Sequence, residues 1–534
     1  MNRPTRVGRS GSISGFRGLL LAALSGVLLC LAFPAPRWWP LVFVALVPLL
    51  VLLVHGAPAP GRAARPTGPA ARFGPWIAGT VFYALLFWWI VRLPASAMTH
   101  PWIIYPALLA LAGFLGFYVA VFGFITRFVC QRVGWSPLVV APAAWAASEW
   151  LKSSGALGCP WGNLSYALAR EPAWIQGAAI VGAPGLTVWI ATVNSLVAGV
   201  ITSRRLASRF LCATAAVILV AVPVAYGTAR LSSPSQSAQL TVAVVQPDIR
   251  SDEKWDPARQ EKSIATLERL SLEASRLDPK PDLIVWPETA LPFYVRLEPV
   301  KLARLFTLAR QVGVPMVVGY PDARFTTHGE VTTHNAAGFV LPNGTLAGQY
   351  EKVHLVPFGE RIPFQELFPF LGRIDLGQAE WTPGTAYTVF QLRQAPFSVL
   401  ICFESIFPEL SRRFAREGAR FLVNITNDEW FGATAAPRQH ADMAILRCVE
   451  EGLGMARCAN TGISMFIDPR GRVSGATPLF QQAMVEGRVT LGDRPTLYSE
   501  LGDAVTLVCL GLVAVLLALG WYRPLAHVAS LPPS

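Results

Sequence analysis

The stretch Val399-Leu-Ile-Cys-Phe-Glu-Ser405 places a cysteine at the end of an apolar run that is typical of a buried strand. Two charged residues follow other short apolar runs. They are Glu288, within Val285-Trp-Pro-Glu-Thr289, and Lys352, within Gln349-Tyr-Glu-Lys-Val353. The three positions offer a nucleophile, a base and a cation, which are the groups that covalent catalysis needs.

The composition of the whole chain is that of an integral membrane protein. The 534 residues are 53% hydrophobic and only 15% charged, and the mean hydropathy is +0.42. The formal net charge of +12 is not gathered into Lys/Arg-rich runs or interleaved with aromatic residues. We therefore expect a membrane protein with no nucleic-acid partner.

Apolar segments close to the ~20 residues that a membrane-spanning helix needs enclose the cysteine-containing block on both sides. The segments cover residues 16–33, 39–54, 75–92, 102–126, 136–151, 174–200, 209–228 and 503–521. The fifth is the least apolar, since Pro142 and Glu149 interrupt it. The sequence thus predicts seven spanning helices, then a polar block, then one closing helix.

Arginine and lysine distribution predicts the orientation, because cationic loops are retained on the cytoplasmic side. One set of alternate loops is rich in these residues: Arg3, Arg6, Arg9, Arg17, Arg62, Arg65, Arg72, Arg127, Arg132, Arg204, Arg205, Arg209 and Arg523. The opposite set holds Arg37, Arg92, Lys152 and Arg170. We expect a cytoplasmic amino terminus and a block outside the cytoplasmic membrane. A cleaved signal peptide is the alternative for the first segment, but no A-x-A site precedes the second.

The block from 231 to 502 alternates short β-branched runs with amphipathic stretches, as a layered α/β sandwich does. Predicted strands are 240–246, 283–286, 315–319, 397–402 and 420–425; predicted helices are 260–277, 300–312, 408–417 and 438–451. Asn343-Gly344 predicts a hairpin that ends near Lys352, and 468–471 predicts a second turn. The domains are expected at 1–230 (seven helices), 231–502 (catalytic) and 503–534 (closing helix and cytoplasmic tail), with 232–237 as a linker.

The eight cysteines show neither CxxC pairs nor the His/Cys spacing of a zinc site. We expect no metal and no disulfide framework, with Cys448 and Cys458 reduced and buried. Cys402 is the one cysteine with a chemical neighbourhood of interest.

The residues alone leave two arrangements open for activating Cys402. A thiolate is favoured by a nearby base or cation, and Glu288 or Lys352 could act in either way. A Cys-His dyad is the rival arrangement, since His354 lies two residues from Lys352 on the same strand face. His334 and His440 are further candidates for the same role. Sequence spacing does not decide among them.

Four segments resemble the nitrilase superfamily and, more narrowly, the bacterial apolipoprotein N-acyltransferases. They are Trp286-Pro-Glu-Thr289, Glu351-Lys-Val-His-Leu-Val-Pro-Phe-Gly-Glu360, Ile401-Cys-Phe-Glu-Ser405 and Asn427-Asp-Glu-Trp-Phe-Gly432. The resemblance implies a multi-pass α-helical membrane protein with an extracytoplasmic αββα sandwich of nitrilase type. It also implies Glu288 as general base, Lys352 as the cation that stabilises the oxyanion, and Cys402 as nucleophile, with histidine a bystander.

The same resemblance implies further residues around the site. Glu360 would be an additional essential carboxylate; Glu404 and Phe403 would flank the nucleophile, with Phe403 standing where relatives often have tyrosine. Pocket or loop roles are implied for Trp255, Trp430 and Phe431, although core packing is an equally good interpretation of the last two. Glu149, an ionisable residue at membrane depth, is a candidate for contact with a lipid headgroup, or an ion pair with Lys152.

The implied reaction is a two-step acyl transfer. A phospholipid, phosphatidylethanolamine by the resemblance, would acylate Cys402, and the α-amino group of a diacylglyceryl cysteine at the end of an apolipoprotein would accept the chain. We expect a monomer in the bacterial inner membrane, catalytic on the periplasmic side, with no cofactor. A membrane-tethered amidase or nitrilase and a non-catalytic scaffold are the alternatives.

Overall fold

The computed structural model describes residues 15–33, 38–56, 68–93, 101–234, 237–325, 329–368, 370, 380–393 and 395–522. Two regions follow one another along this chain. Long apolar helices form the first, and two stacked β-sheets with outer helices form the second. The predicted tail from 523, part of the 232–237 linker and several of the loop arginines lie outside the described residues.

The first region consists of α1 (Gly15–Ala32), α2 (Val47–Gly56), α3 (Pro69–Leu86), α4 (Ile104–Val133), α5 (Pro137–Ser153), α6 (Pro172–Ile175), α7 (Ala178–Thr202) and α8 (Leu206–Ser232). Two 3₁₀ turns extend α2 and α3, at Trp39–Phe43 and Trp88–Arg92. The closing helix is α15 (Ala504–Tyr522), which packs against α4 and α5.

Seven segments among the described residues are long and apolar enough to cross a membrane. They are Gly15–Ala32, Trp39–Gly56, Pro69–Arg92, Ile104–Val133, Ala178–Thr202, Leu206–Ser232 and Ala504–Tyr522. Each coincides with one of the eight predicted segments. The eighth, 136–151, forms α5, whose 17 residues span ~26 Å against a hydrocarbon core of ~30 Å. A crossing by α5 stays a prediction.

The outer surface of this region suits lipid rather than water. Large apolar side chains of α8 such as Leu206, Phe210 and Val222 are more than half exposed. Only 6% of an 18-residue apolar stretch of α8 is buried inside the protein. Contiguous apolar surface of this extent is costly in water and favourable in hydrocarbon. The protein is therefore a multi-pass membrane protein.

The second region is built on twelve strands: β1 (Gln239–Gln246), β2 (Leu283–Val285), β3 (Met316–Phe325), β4 (Val331–Val340), β5 (Leu346–Glu351), β6 (Phe390–Leu392), β7 (Ala395–Ile401), β8 (Phe421–Thr426), β9 (Gly454–Ala459), β10 (Met465–Ile467), β11 (Val473–Ser474) and β12 (Ala483–Thr490). One sheet has the order β12-β1-β2-β3-β4-β5, and the other β11-β10-β9-β8-β7-β6. Each sheet contains three neighbouring parallel strands, which are β1, β2 and β3 in the first sheet and β7, β8 and β9 in the second. Their carboxyl ends therefore gather the residues that follow them.

Helices cover the outer faces of the sheets: α9 (Ser251–Lys254), α10 (Pro257–Ala274), α11 (Pro299–Val312), α12 (Pro408–Arg416), α13 (Ala436–Glu451) and α14 (Leu497–Leu501). Alternation along β1 shows the layers. Val242 and Val244 belong to the core shared with the second sheet, whereas Ala243 and Val245 face Leu267 of α10. The αββα sandwich and the predicted fold class are confirmed.

The predicted elements of the sandwich are present with shifted ends. The predicted strand 315–319 continues to Phe325 in β3, and the predicted helix 260–277 is shifted by three residues at each end in α10. The strand β7 stops at Ile401, so that Cys402 lies just beyond it. The hairpin at Asn343-Gly344 joins β4 to β5, and Gly471 (φ 78°) closes the turn between β10 and β11. All eight cysteines have free thiols, and Cys448 and Cys458 are buried.

Candidate active site

Cys402 occupies a sharp turn between a strand and a 3₁₀ helix. It follows β7 and opens the helix Cys402–Ile406, with a left-handed φ of 53°. A non-glycine residue pays about 1–2 kcal/mol in that region, so the surrounding structure must hold it there. The Cys402 carbonyl accepts from Ser405 Oγ (3.0 Å) and from His440 Nε2 (3.1 Å). The turn thus leaves the Cys402 thiol near Thr426, at the end of β8.

Glu288 lies on a second strained turn, after β2. Thr289 has a φ of 45°, which is unusual for a β-branched residue, and a side chain at Gly319 would collide with this turn. The buried Glu288 carboxylate accepts from Asn335 Nδ2 (2.7 Å) and from the Asn427 N–H (2.7 Å). Both oxygens are therefore held in fixed directions.

Lys352 lies just past β5 and joins two carboxylates. Its Nζ is 2.9 Å from Glu360 Oε1 and 3.5 Å from Glu288 Oε1, and the side chain is 1% exposed. Burial by itself lowers the Lys352 pKa, but the charges of Glu360, Glu288 and Cys402 outweigh it and raise the pKa above its ordinary value. The group is a fixed ammonium ion and not a base.

The thiol of Cys402 is protonated in the resting site. Burial and the carboxylate of Glu288 raise its pKa well above the ordinary value, while Lys352 and a hydrogen bond with Thr426 oppose the rise. A buried neutral thiol is a poor nucleophile, so its proton must leave as it attacks. The Glu288 carboxylate is coupled electrostatically to the same thiol, and its role as the base that takes the proton stays a prediction.

Glu360 and Glu404 hold this arrangement from two sides. Glu360 accepts from Lys352, Asn335 and the Val356 N–H, while Arg361 pairs with Glu366. Glu360 is thus part of the site and not a surface carboxylate. Its essential role stays a prediction.

Glu404 is completely buried and connects the lysine-bearing chain to the cysteine turn. Its carboxylate accepts from the N–H groups of Val353, His354 and Ile401 and from the Tyr350 hydroxyl. Burial raises the pKa of Glu404 to about 7, although those hydrogen bonds and Lys352 oppose the rise. It positions other groups and has no described contact with the thiol.

The aromatic candidates are spread around the site. Phe403 packs on Phe407, with ring centroids 5.1 Å apart. Phe431 contacts Trp89 of the membrane region at 5.0 Å, and Trp255 and Trp430 are about half exposed. Core packing therefore does not account for Trp430, and Phe431 lies at the junction of the two regions. Their contact with substrate stays a prediction.

Glu149 lies in α5, apart from the other site residues in the sequence and in the fold. Its carboxylate accepts from Trp145 Nε1, the Leu164 N–H and Thr187 Oγ1. Lys152 donates instead to the carbonyls of Cys159 and Trp161. Both side chains thus fasten the loop after α5. No direct ion pair between them is present among the described residues, and a lipid contact for Glu149 stays a prediction.

The histidine alternative takes a different form from the one expected. His354 stacks on Phe407 at 3.8 Å, and burial together with Lys352 lowers its pKa to about 4. His334 Nδ1 lies 2.9 Å from the Thr382 carbonyl. His440 reaches the cysteine turn, but its two nitrogens lie beside the Cys402 carbonyl and Asp428 Oδ1. His440 therefore supports the backbone of the turn.

The Cys402 sulfur, a carboxylate oxygen of Asp428 and a ring nitrogen of His440 lie within 4.8 Å of one another. Metal ions bind atoms of these types in proteins. The Asp428 carboxylate is already occupied, by Thr426, His440 and the guanidinium of Arg457. Although burial opposes it, Arg457 and His440 lower the Asp428 pKa to about 2. A metal ion would have to compete with that buried guanidinium, so these residues do not fit a metal centre.

Sequence reasoning missed Asn335, Asn427 and the Asp428–His440 pair. Asn427 and Asp428 lie inside the segment 427–432, in which the sequence indicated roles only for the aromatic residues Trp430 and Phe431. Asn335 lies in mid-strand on β4 and carries no local signal at all. Its role follows only from the pairing of β4 with β5, which brings the Asn335 carbonyl to the Lys352 N–H at 2.9 Å.

Comparison with known proteins agrees with this architecture. The model of the carbon-nitrogen hydrolase family matches residues 241–494, and that of the apolipoprotein N-acyltransferase N-terminal domain matches residues 25–196. Among solved structures, an amidase from Nesterenkonia sp. aligns with 52% of this chain and 98% of its own, at 19% identity and a TM-score of 0.38. The fold and the family models define a membrane protein that carries a nitrilase-like enzyme domain.

Full-length relatives narrow the class. The apolipoprotein N-acyltransferase of Geobacter metallireducens is 38% identical over 96% of both chains. Those of Chlorobaculum tepidum and Brucella suis are 32% and 31% identical, over 93% and 90% of this chain and 95% and 91% of their own. The chain belongs to the apolipoprotein N-acyltransferase family, and its activity is acyl transfer.

Proposed function

We propose that the protein moves an acyl chain from a membrane phospholipid to the α-amino group of an apolipoprotein's diacylglyceryl cysteine, through a thioester on Cys402. The observation that carries the proposal is the buried Lys352 ammonium between Glu288 and Glu360, beside a protonated thiol on a strained turn. That set supplies a base, an oxyanion-stabilising cation and a nucleophile in one dry site.

In the first step, Glu288 takes the Cys402 proton while the sulfur attacks the carbonyl carbon of the phospholipid ester. The tetrahedral oxyanion is stabilised by the Lys352 ammonium and the backbone N–H of Phe403. As the intermediate collapses, the C–O bond breaks and Glu288 protonates the departing oxygen. The products are a thioester on Cys402 and a lysophospholipid.

In the second step, the α-amino nitrogen of the acceptor attacks the thioester carbonyl and Glu288 accepts a proton from it. Collapse breaks the C–S bond, forms the amide and returns the proton to sulfur. Glu288 thus ends each half-reaction as it began. Water would give hydrolysis at the same point, and the amidase alternative differs only in that acceptor.

The side of the membrane follows from the loop arginines. Their alternation supports a sandwich on the periplasmic face of the bacterial inner membrane, with the amino terminus in the cytoplasm. The two proposed substrates both carry hydrocarbon chains, which accounts for a catalytic region joined to apolar helices.

Intact-mass analysis after incubation with phosphatidylethanolamine alone tests the proposal. We expect the wild-type mass to rise by one acyl chain and hydroxylamine to reverse the rise, since thioesters are hydroxylamine-sensitive. Cys402→Ala should gain nothing and stay folded, whereas Cys212→Ala, a control in α8, should gain the chain as wild type does.

Three outcomes separate the alternatives. Acylation followed by transfer to a diacylglyceryl cysteine peptide supports the proposal. Release of free fatty acid without transfer, together with hydrolysis of small amides, would show an amidase. No covalent adduct under any of these conditions would leave the scaffold interpretation and refute the mechanism.

A further inference from the structure

A second buried lysine lies behind the proposed general base. Lys254, the last residue of α9, is 2% exposed. Its Nζ donates to Thr289 Oγ1 at 2.7 Å and to the Glu288 carbonyl at 3.4 Å. The lysine therefore holds the strained turn of Glu288 by two hydrogen bonds.

The contacts that the structure describes for this ammonium are with uncharged oxygens. A buried charge without a bonded counter-ion is destabilising, so a purely structural role would favour a neutral side chain at this position. The charged groups that face Lys254 are the carboxylates of Glu288 and Glu429. Its charge thus acts on the base through space, while its hydrogen bonds act on the backbone.

Lys254 adds a second buried positive charge near the site. The Lys352 ammonium lies between the carboxylates of Glu288 and Glu360, and Lys254 lies beside the turn that carries Glu288. Transfer of the thiol proton to Glu288 leaves the total charge of these groups and the thiol unchanged, because the sulfur gains the negative charge that the carboxylate loses.

We propose that Lys254 is a positioning residue for the general base: it fixes the 287–289 turn and keeps the Glu288 carboxylate ionised in a dry site. The inference rests on the proposed function, because it assigns Glu288 the role of base. The family resemblance implied a role for the neighbouring Trp255 but none for Lys254. The chemistry it serves is proton transfer from sulfur, not contact with substrate.

The ionisation of Lys254 itself agrees with this role. Burial lowers its pKa to about 8, with Glu288 and Glu429 opposing the change, so the ammonium form prevails at neutral pH. Loss of its charge would raise the proton affinity of Glu288. A general base works only when ionised, so the acid limb of the rate would move to higher pH.

The test measures the single-turnover rate of Cys402 acylation by phosphatidylethanolamine across pH 5–9, in the full-length protein. For Lys254→Met we expect an acid limb displaced upward by about one pH unit, with KM for the phospholipid unchanged. Lys254→Arg, which keeps the charge, should keep the limb in place. Thr289→Val, which removes only the hydroxyl, should slow acylation without moving the limb. Lys262→Met, on the exposed face of α10, is the matched control.

An unshifted acid limb in Lys254→Met would overturn the proposal, whatever the loss of rate. If Lys254→Met fails to fold, Lys254→Gln replaces it, because glutamine is neutral and keeps a hydrogen-bond donor for Thr289. The same upward displacement is expected there, and an unshifted limb in Lys254→Gln or a displaced limb in Lys254→Arg refutes the electrostatic role. If wild type forms no acyl-enzyme, the proposed function fails separately. The pH dependence of Cys402 alkylation by iodoacetamide then tests Lys254, with the same upward displacement expected for Lys254→Met.

Discussion

At the scale of single residues, two residues of the candidate site are held in backbone conformations that they disfavour. Cys402 and Thr289 both have left-handed φ values, where glycine is the usual residue. Each turn is secured by side chains distant in the sequence: His440 lies 38 residues from Cys402, and Lys254 lies 35 residues from Thr289. Strain at these two points is sustained by the hydrogen bonds around them.

Glu404→Gln tests whether this carboxylate positions the site or takes part in the reaction. The amide would set its NH₂ group against N–H donors from Val353, His354 or Ile401, and leaving such donors unmet costs about 1–3 kcal/mol. We expect a lower unfolding temperature and slower acylation of Cys402, with the pH profile unchanged in shape. Thermal unfolding in detergent and intact-mass kinetics measure the two effects.

The control for that variant is Glu366→Gln, which removes an exposed partner of Arg361. Exposed pairs contribute little, so both quantities should match wild type. A Glu404→Gln protein with wild-type stability and no acylation would contradict a positioning role.

At the scale of elements, α13 connects the turn of Cys402 to the membrane region. His440 near its start contacts the Cys402 turn, and Glu450 near its end accepts from the Ala183 N–H of α7 at 2.7 Å. Between them, Arg447 donates to the Ile406 carbonyl, which also accepts from Tyr166 of the membrane region. The helix thereby ties the position of the thiol to the packing of the spanning helices.

The carboxyl end of α13 predicts a pH-dependent stability. Burial raises the pKa of Glu451 to about 8, from an ordinary value of 4.5. A hydrogen bond with Ser499 and the charges of Arg447 and Arg412 oppose this rise in pKa, whereas the charge of Glu450 adds to it. Between these pH values the folded protein holds a proton that the unfolded chain has released. Stability therefore falls as pH rises through that window. Glu451→Gln removes this loss, so the variant should match wild type near pH 5 and exceed it at pH 8, by at most about 4 kcal/mol.

Unfolding temperatures measured from pH 5 to pH 8 check this prediction. Part of the slope should survive in the variant, since burial also raises the pKa values of Glu404 and Glu450 to about 7. Stability curves of wild type and Glu451→Gln that run parallel would show that the carboxyl group does not titrate in this window.

At the scale of the whole molecule, the membrane region and the sandwich share one continuous apolar core. Side chains of the spanning helices and of both sheets belong to the same buried cluster. Polar contacts cross the junction as well, including Trp161 to Gln439 and Arg170 to Asp442. The catalytic region is thus packed against the helices and not merely tethered to them.

The orientation of this molecule is tested by labelling with a membrane-impermeant maleimide in spheroplasts. In a Cys402→Ala background, Lys262→Cys on the sandwich should react in intact cells. Arg204→Cys, in the loop before α8, should react only after permeabilisation. The reverse pattern would invert the proposed topology, and the background without an added cysteine sets the baseline.

The fold class was within reach of the sequence for a physical reason, and the sequence also named three candidate residues whose catalytic roles stay predictions. Hydrophobic runs of spanning length, the β-branched run of β1 and the amphipathic pattern of α11 are local signals, and Glu288, Lys352 and Cys402 stand in segments that carry a family pattern. The ends of elements were less well predicted, because β3 and β7 stop where tertiary contacts, not propensity, end them.

Patterning along the chain thus determined that this protein is a membrane-embedded αββα enzyme of a known family. Only the tertiary structure decided which distant residues hold the candidate site in place. Asn335 and Asn427, 47 and 139 residues from Glu288, donate to its carboxylate, and Tyr166 donates to the carbonyl of Ile406, 240 residues away. Such partners depend on strand register and on the packing of one layer against another. Local periodicity encodes which face a side chain occupies, but not which distant atom it meets there.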